Sequence, residues 1–150
     1  MISGTVYPIQ LLDKKRNNMS KHVLVPIADG SEELEAVTII DVLRRSGVEV
    51  TVAAVGALKD NKIIAAQGTK LIADCAIGDC TSTTWDLIAL PGGVSGSENL
   101  FANTVLDQLL RAQVARGGLY AAICAAPAVI LGQKGLLADK TATCHPKFYQ

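Results

Sequence analysis

Cys124 has the strongest chemical setting in the chain. It lies in the run Leu119-Tyr-Ala-Ala-Ile-Cys124-Ala-Ala-Pro127. An apolar strand leads into the cysteine, and a helix is expected to open just beyond it, with Pro127 suited to the first turn. Ala122 and Ala126 keep the flanks small, as a sharp nucleophile elbow demands. A helix N-terminus also presents unpaired N–H groups and partial positive charge. That environment lowers a thiol pKa from ~8.5 into roughly the 3.5–7.5 range. The competing reading is a buried cysteine used as a small apolar residue.

Three further elements belong with Cys124. Pro91-Gly92-Gly93 closes the apolar run Trp85–Leu90, so its loop leaves the carboxyl edge of a sheet, where open α/β sheets bind ligands. Gly92 and Gly93 there let backbone N–H groups approach a reacting oxygen; the Ala125 amide supplies the other half of an oxyanion hole. Glu35, on a helical wheel, falls in the arc of Ile39, Val42, Leu43, Ala36 and Ile40. Burial on that face raises a carboxyl pKa and lets it donate a hydrogen bond to a thiolate. Read blandly, Glu35 is a first-turn acid that suits the helix dipole, although Glu32 and Glu33 already fill that place. His145 follows Cys144 and is a candidate general base or proton shuttle, or else an ordinary surface histidine. Cys75, Cys80 and Cys144 lack any such setting and read as structural or adventitiously oxidisable. The spacing contains no CxxC knuckle, so no metal site is expected.

The elements that must hold these residues alternate. His22–Ala28 reads as a strand ending at Asp29-Gly30, and residues 31–46 as a helix with Ser31 as N-cap and Gly47 as stop. Glu49–Val55 is a second strand, completing a βαβ unit. Ile63–Ala65 and Lys70–Ala73 flank Gln67-Gly68 as a hairpin, and Cys75–Thr84 reads as loop. After the strand Trp85–Leu90, leucines at threes and fours predict one helix over Asn99–Arg116, closed by Gly117-Gly118. Leu119–Ile123 is a strand, Pro127–Gln133 a short helix and Thr141–Thr143 a last strand. One α/β domain over residues 19–150 is the expectation, with residues 1–18 a disordered leader or extension.

Composition agrees. The chain has 150 residues, 49% hydrophobic but only 4% aromatic, a palette of Ala, Val, Ile and Leu suited to strands buried on both faces. Fourteen basic and fourteen acidic residues cancel, which leaves no field for nucleic acid. No apolar run approaches the ~20 residues of a membrane span. The first 18 residues place their charges after the apolar stretch, the reverse of a secretory signal. A cytoplasmic location is expected, with Lys14, Lys15 and Arg16 leaving an organelle presequence as the alternative.

Taken together, Asp29-Gly-Ser-Glu-Glu-Leu-Glu35-Ala-Val, Leu90-Pro-Gly-Gly93, Ala121-Ala-Ile-Cys124-Ala-Ala-Pro127 and Cys144-His-Pro146 resemble the ThiJ/PfpI superfamily. Within it they are most similar to the branch of Parkinson disease protein deglycases. The resemblance implies a flavodoxin-like three-layer sandwich with a mostly parallel sheet, a homodimer, and no metal or organic cofactor. It maps the family's acid, cysteine and histidine onto Glu35, Cys124 and His145, and its oxyanion amides onto Gly93 and Ala125. It implies a hydrolase- or lyase-type activity: a glutathione-independent glyoxalase turning methylglyoxal into lactate through a Cys124 hemithioacetal, or a deglycase of early glycation adducts. The implied partners are a small α-oxoaldehyde or a glycated substrate, not nucleic acid or membrane. A non-catalytic oxidative-stress sensor, or a redox-regulated chaperone using Cys124 oxidation, is the rival. Ala125 stands where the protease-like branch has histidine, which argues against peptidase chemistry. Family chains continue past the His-Pro pair through a Gly-Pro-Gly turn and a final helix. The expectation is that this C-terminal strand and helix are missing, leaving a sheet edge open to pairing.

Overall fold

The computed structural model describes residues 20–56 and 59–149; the leader assigned to residues 1–18 lies outside them. His22–Ile27 forms β1, its apolar run buried on both faces as a central parallel strand requires. Glu33–Arg45 forms α1, Glu49–Ala54 β2, and the short pieces Lys62–Ile64 and Lys70–Ile72 form β3 and β4. Cys75–Ala76 is β5 and Leu87–Leu90 is β6. Val94–Ala102 and Thr104–Ala115 are α2 and α3, and Leu119–Ala122 is β7.

The main sheet runs β5-β2-β1-β6-β7 with every neighbouring pair parallel. The β3-β4 hairpin is antiparallel and stands apart as its own two-stranded sheet. Alternation along β1 divides the core. Leu24 faces Ile88, Leu90, Leu100, Leu106, Leu110 and Ile130, so α2 and α3 cover that side. Val23, Val25 and Ile27 turn the other way, onto Ala36, Val52 and Ile63, beneath α1 and the hairpin. The result is a three-layer α/β sandwich of the flavodoxin-like kind.

Four local expectations are corrected. Ser31 does not cap α1: Gly30 turns with φ +77°, and Ser31 folds under the strand end, where its buried hydroxyl accepts from the Ala28 N–H. Glu32 is the cap, accepting from the Leu34 amide. The single helix over Asn99–Arg116 is two helices, because the Asn103 side chain accepts from the Leu106 N–H and restarts the ladder; the first of them begins as early as Val94. The loop over Cys75–Thr84 contains the edge strand β5, paired to Ala53 and Ala54, and a 3₁₀ turn at Ile77–Cys80. Thr141–Thr143 is exposed coil, since three residues with no buried face gain too little to offset the entropy of ordering them.

Candidate active site

β6 and β7 deliver the two halves of the site to the same sheet edge, as parallel neighbours must. Beyond β7 the chain turns so sharply that Cys124 takes φ +61°. For a residue with a Cβ this costs of order 1–3 kcal/mol, and it persists only where its surroundings enforce it. Here a six-residue π-helical segment, Pro127–Gly132, follows immediately, and Ala125 and Ala126 are fully buried. The His145 N–H donates to the Cys124 carbonyl at 2.7 Å, which fastens the C-terminal loop to the elbow. The expected nucleophile elbow is present.

Glu35 comes from the first turns of α1. It is half-buried, and its Oε2 accepts from the Gly92 N–H at 2.7 Å. Gly92 is packed between the Cys124 and Glu35 side chains: a Cβ built there would meet Cys124 Cβ at 2.7 Å and Glu35 Oε2 at 2.7 Å. The Gly92 amide is therefore spent on Glu35, and its place in an oxyanion hole is corrected to one of positioning. Gly93, at φ +82°, turns its amide to the thiol, and the Ala125 amide does the same.

These groups set the charge state of the thiol. Desolvation pushes the Cys124 thiol up, and the charge of Glu35 and its hydrogen bond with the thiol push the same way; the Gly93 and Ala125 amides pull it down. The net direction is upward, opposite to the lowering expected from a helix N-terminus. The reason is local: burial, reinforced by Glu35, outweighs the two amides.

His145 faces the same cavity of about 540 Å³ as Glu35, Cys124 and Gly93. Its Nδ1 accepts from the Lys147 N–H at 3.2 Å, so the neutral ring carries its proton on Nε2. Phe148 meets the ring edge-on at 6.3 Å between centroids. The rest of the mouth was not visible in the sequence. Gln67, Ser95 and Lys147 line it, and the hairpin is tied over it by Glu33, which accepts from the Gln67 N–H at 3.1 Å. The Asp29-Gly30 turn was the available signal: Asp29 accepts from the Ile64 N–H at 2.7 Å. Among the described residues no group of three or more His, Cys, Asp or Glu side chains is placed to hold a metal ion. Among the described residues no helix is long and apolar enough to cross a membrane.

Residues 21–150 match the model of the DJ-1/PfpI family. The chain belongs to that family. Protein DJ-1 homolog B of Arabidopsis thaliana is 45% identical over 136 residues, covering 89% of this chain and 30% of the relative. The Glutathione-independent glyoxalase DJR-1.2 of Caenorhabditis elegans is 37% identical over 123 residues, covering 82% and 62%. The solved structure of oxidized Toxoplasma gondii DJ-1 superposes with a TM-score of 0.82 at 43% identity, covering 86% of this chain and 69% of that one. The chain thus spans about a third of the length of the Arabidopsis relatives it matches.

Proposed function

We propose that this chain performs cysteine-dependent chemistry on α-oxoaldehydes, converting methylglyoxal, or its early glycation adducts, to lactate without glutathione. The observation that carries the reading is the Cys124–Glu35 pair at a strained elbow, with Gly93 and Ala125 amides turned to the sulfur. The glyoxalase name of the Caenorhabditis elegans relative supports it. In this scheme Glu35 takes the thiol proton as Cys124 Sγ attacks the aldehyde carbon, and the S–C bond of a hemithioacetal forms. The Gly93 and Ala125 N–H groups receive the oxyanion, which regains the proton from Glu35. The freed carboxylate then takes the C1 proton while His145 Nε2–H donates to the ketone oxygen. Glu35 returns its proton to C2 of the enediol as the C1 hydroxyl gives its proton back to His145, which leaves a lactoyl thioester; water hydrolyses it to lactate and the Cys124 thiol.

The test is lactate formation from methylglyoxal by the purified chain beside Cys124→Ala. Lactate from the parent and background from the variant is the expected result; a folded parent that makes none rejects the activity. In the second reading Cys124 is a peroxide sensor, favoured by the relative solved in its oxidized form and by a carboxylate placed to bond an oxidised sulfur. A folded chain that makes no lactate but forms a Cys124 sulfinate would select that reading. We also propose a cytoplasmic homodimer. The outward face of α1 supports the dimer, with Leu34 71% and Val42 58% exposed; sedimentation as a monomer at working concentration would reject it.

A further inference from the structure

Two sulfurs lie close together at the sheet edge opposite β7. Cys75 opens β5, the edge strand opposite β7, and Cys80 ends the 3₁₀ turn that follows. Their sulfurs are 3.6 Å apart, close to contact, and both are free thiols. The two differ in access. Cys80 is 2% exposed, packed with Ile77 and Trp85 in the core, whereas Cys75 is partly exposed. The Cys80 carbonyl accepts from the Trp85 indole N–H at 3.1 Å, which anchors the turn. Cys80 Sγ also makes a weak contact with the Ala76 carbonyl at 3.8 Å, which is given up as the sulfurs close.

We propose that Cys75 and Cys80 form a peroxide-reactive dithiol site, separate from Cys124, that closes to a reversible intramolecular disulfide. A hydroperoxide is the oxidant. Cys75 Sγ, its proton released to solvent, attacks the terminal peroxide oxygen; the O–O bond breaks, Cys75 becomes a sulfenic acid, and the departing oxygen takes a proton from solvent to leave as water or an alcohol. Cys80 Sγ then attacks that sulfur, the S–O bond breaks, and the Cys80 proton leaves with the hydroxide as water. Two thiols lose two electrons, and one hydroperoxide gains them. The order of attack follows from burial. Desolvation, reinforced by Cys75, pushes the Cys80 thiol up to about 12, so it keeps its proton until the sulfenic acid is beside it.

Residues 71–111 contain no Lys or Arg before Arg111 and hold Cys75 and Cys80 but no other cysteine, so trypsin isolates the pair on one peptide. The purified chain would be treated with hydrogen peroxide, alkylated in denaturant, digested and weighed. The expected product is that peptide unalkylated and lighter by two hydrogens, alkylated twice after treatment with reductant. The same product is expected in Cys124→Ser. In Cys80→Ala, Cys75 should stop as a sulfenic acid that a dione probe traps. Trp85 is the sole tryptophan and touches the turn. Its fluorescence in the unmodified parent should fall on oxidation and recover with reductant, a readout that needs no variant. Two alkylated sulfurs after peroxide, a Cys75 sulfinate beside alkylated Cys80, or Cys75 joined to Cys144 would each overturn the proposal.

Discussion

Cys124 and Cys80 meet the same first force and answer it differently. Desolvation raises both thiols, and each has a neighbour that raises it further: Glu35 for Cys124, and Cys75 and Asp79 for Cys80. The difference is the backbone. The Gly93 amide, from the turn after β6, and the Ala125 amide, next to Cys124, both lie against the sulfur and pull that thiol down. Cys80, at the end of the 3₁₀ turn after β5, has no such donors, and every influence on it raises the thiol. At the elbow two amides oppose the rise of a partly buried thiol; at the sheet edge no such donor opposes the rise of a fully buried one.

The sharpest way to test this balance is Glu35→Gln. The amide keeps the shape and can still accept from Gly92, but it removes the charge and the proton acceptor. Lactate formation should fall roughly 10²–10⁴-fold, the range of a lost general base. The Cys124 titration should move down, because two of the influences raising it are gone. Thiolate absorbance against pH reads that shift; an unchanged or higher midpoint would mean that desolvation alone sets the thiol.

Gly92→Ala attacks the geometry instead of the charge. Its methyl would need the space held by Cys124 Cβ and Glu35 Oε2, so the pair must separate. Overpacking of this kind costs about 1–3 kcal/mol of stability. A displacement near 1 Å at reacting atoms costs on the order of 100-fold in rate. A variant with full kcat/KM and parental Tm would show that the pair has slack, and the contrast with Cys80 would lose its structural basis.

How much of this was legible in the residues depends on whether the cause was local. The βαβ start, the hairpin about Gln67-Gly68 and the elbow at Cys124 follow from short patterns, and all three are present. Glu35 was visible because one helical arc carried a carboxylate among aliphatic residues. The break at Asn103 was hidden, since Leu100 and Leu106 are both buried and keep the apolar spacing unbroken across it. β5 was hidden because two residues, Cys75 and Ala76, show no periodicity; their strand exists only by pairing with β2. The Gly92–Glu35 bond spans 57 positions. No local pattern distinguishes a glycine that donates to an oxyanion from one that holds the acid.

The smallest effect separates the two thiols by stability. Cys80 rises from an ordinary value of 9.0 to about 12 in the folded chain, so between those values the unfolded chain has lost a proton that the folded chain still holds. Stability is then intact below about pH 9 and declines as pH climbs toward about 12, the sign that follows when the native state binds more protons. Cys124 is raised as well and acts in the same direction, but with two amides opposing it. Cys80→Ala should therefore flatten the alkaline decline more than Cys124→Ala does, at a cost of about 1 kcal/mol near neutrality from the lost packing. Urea midpoints from about pH 7 to about pH 10 would resolve the slopes, with lysine and tyrosine titrations common to all three chains. Equal flattening by the two substitutions would show that the Gly93 and Ala125 amides do not offset burial at the elbow. The reactivity of Cys124 would then have to come from Glu35 alone.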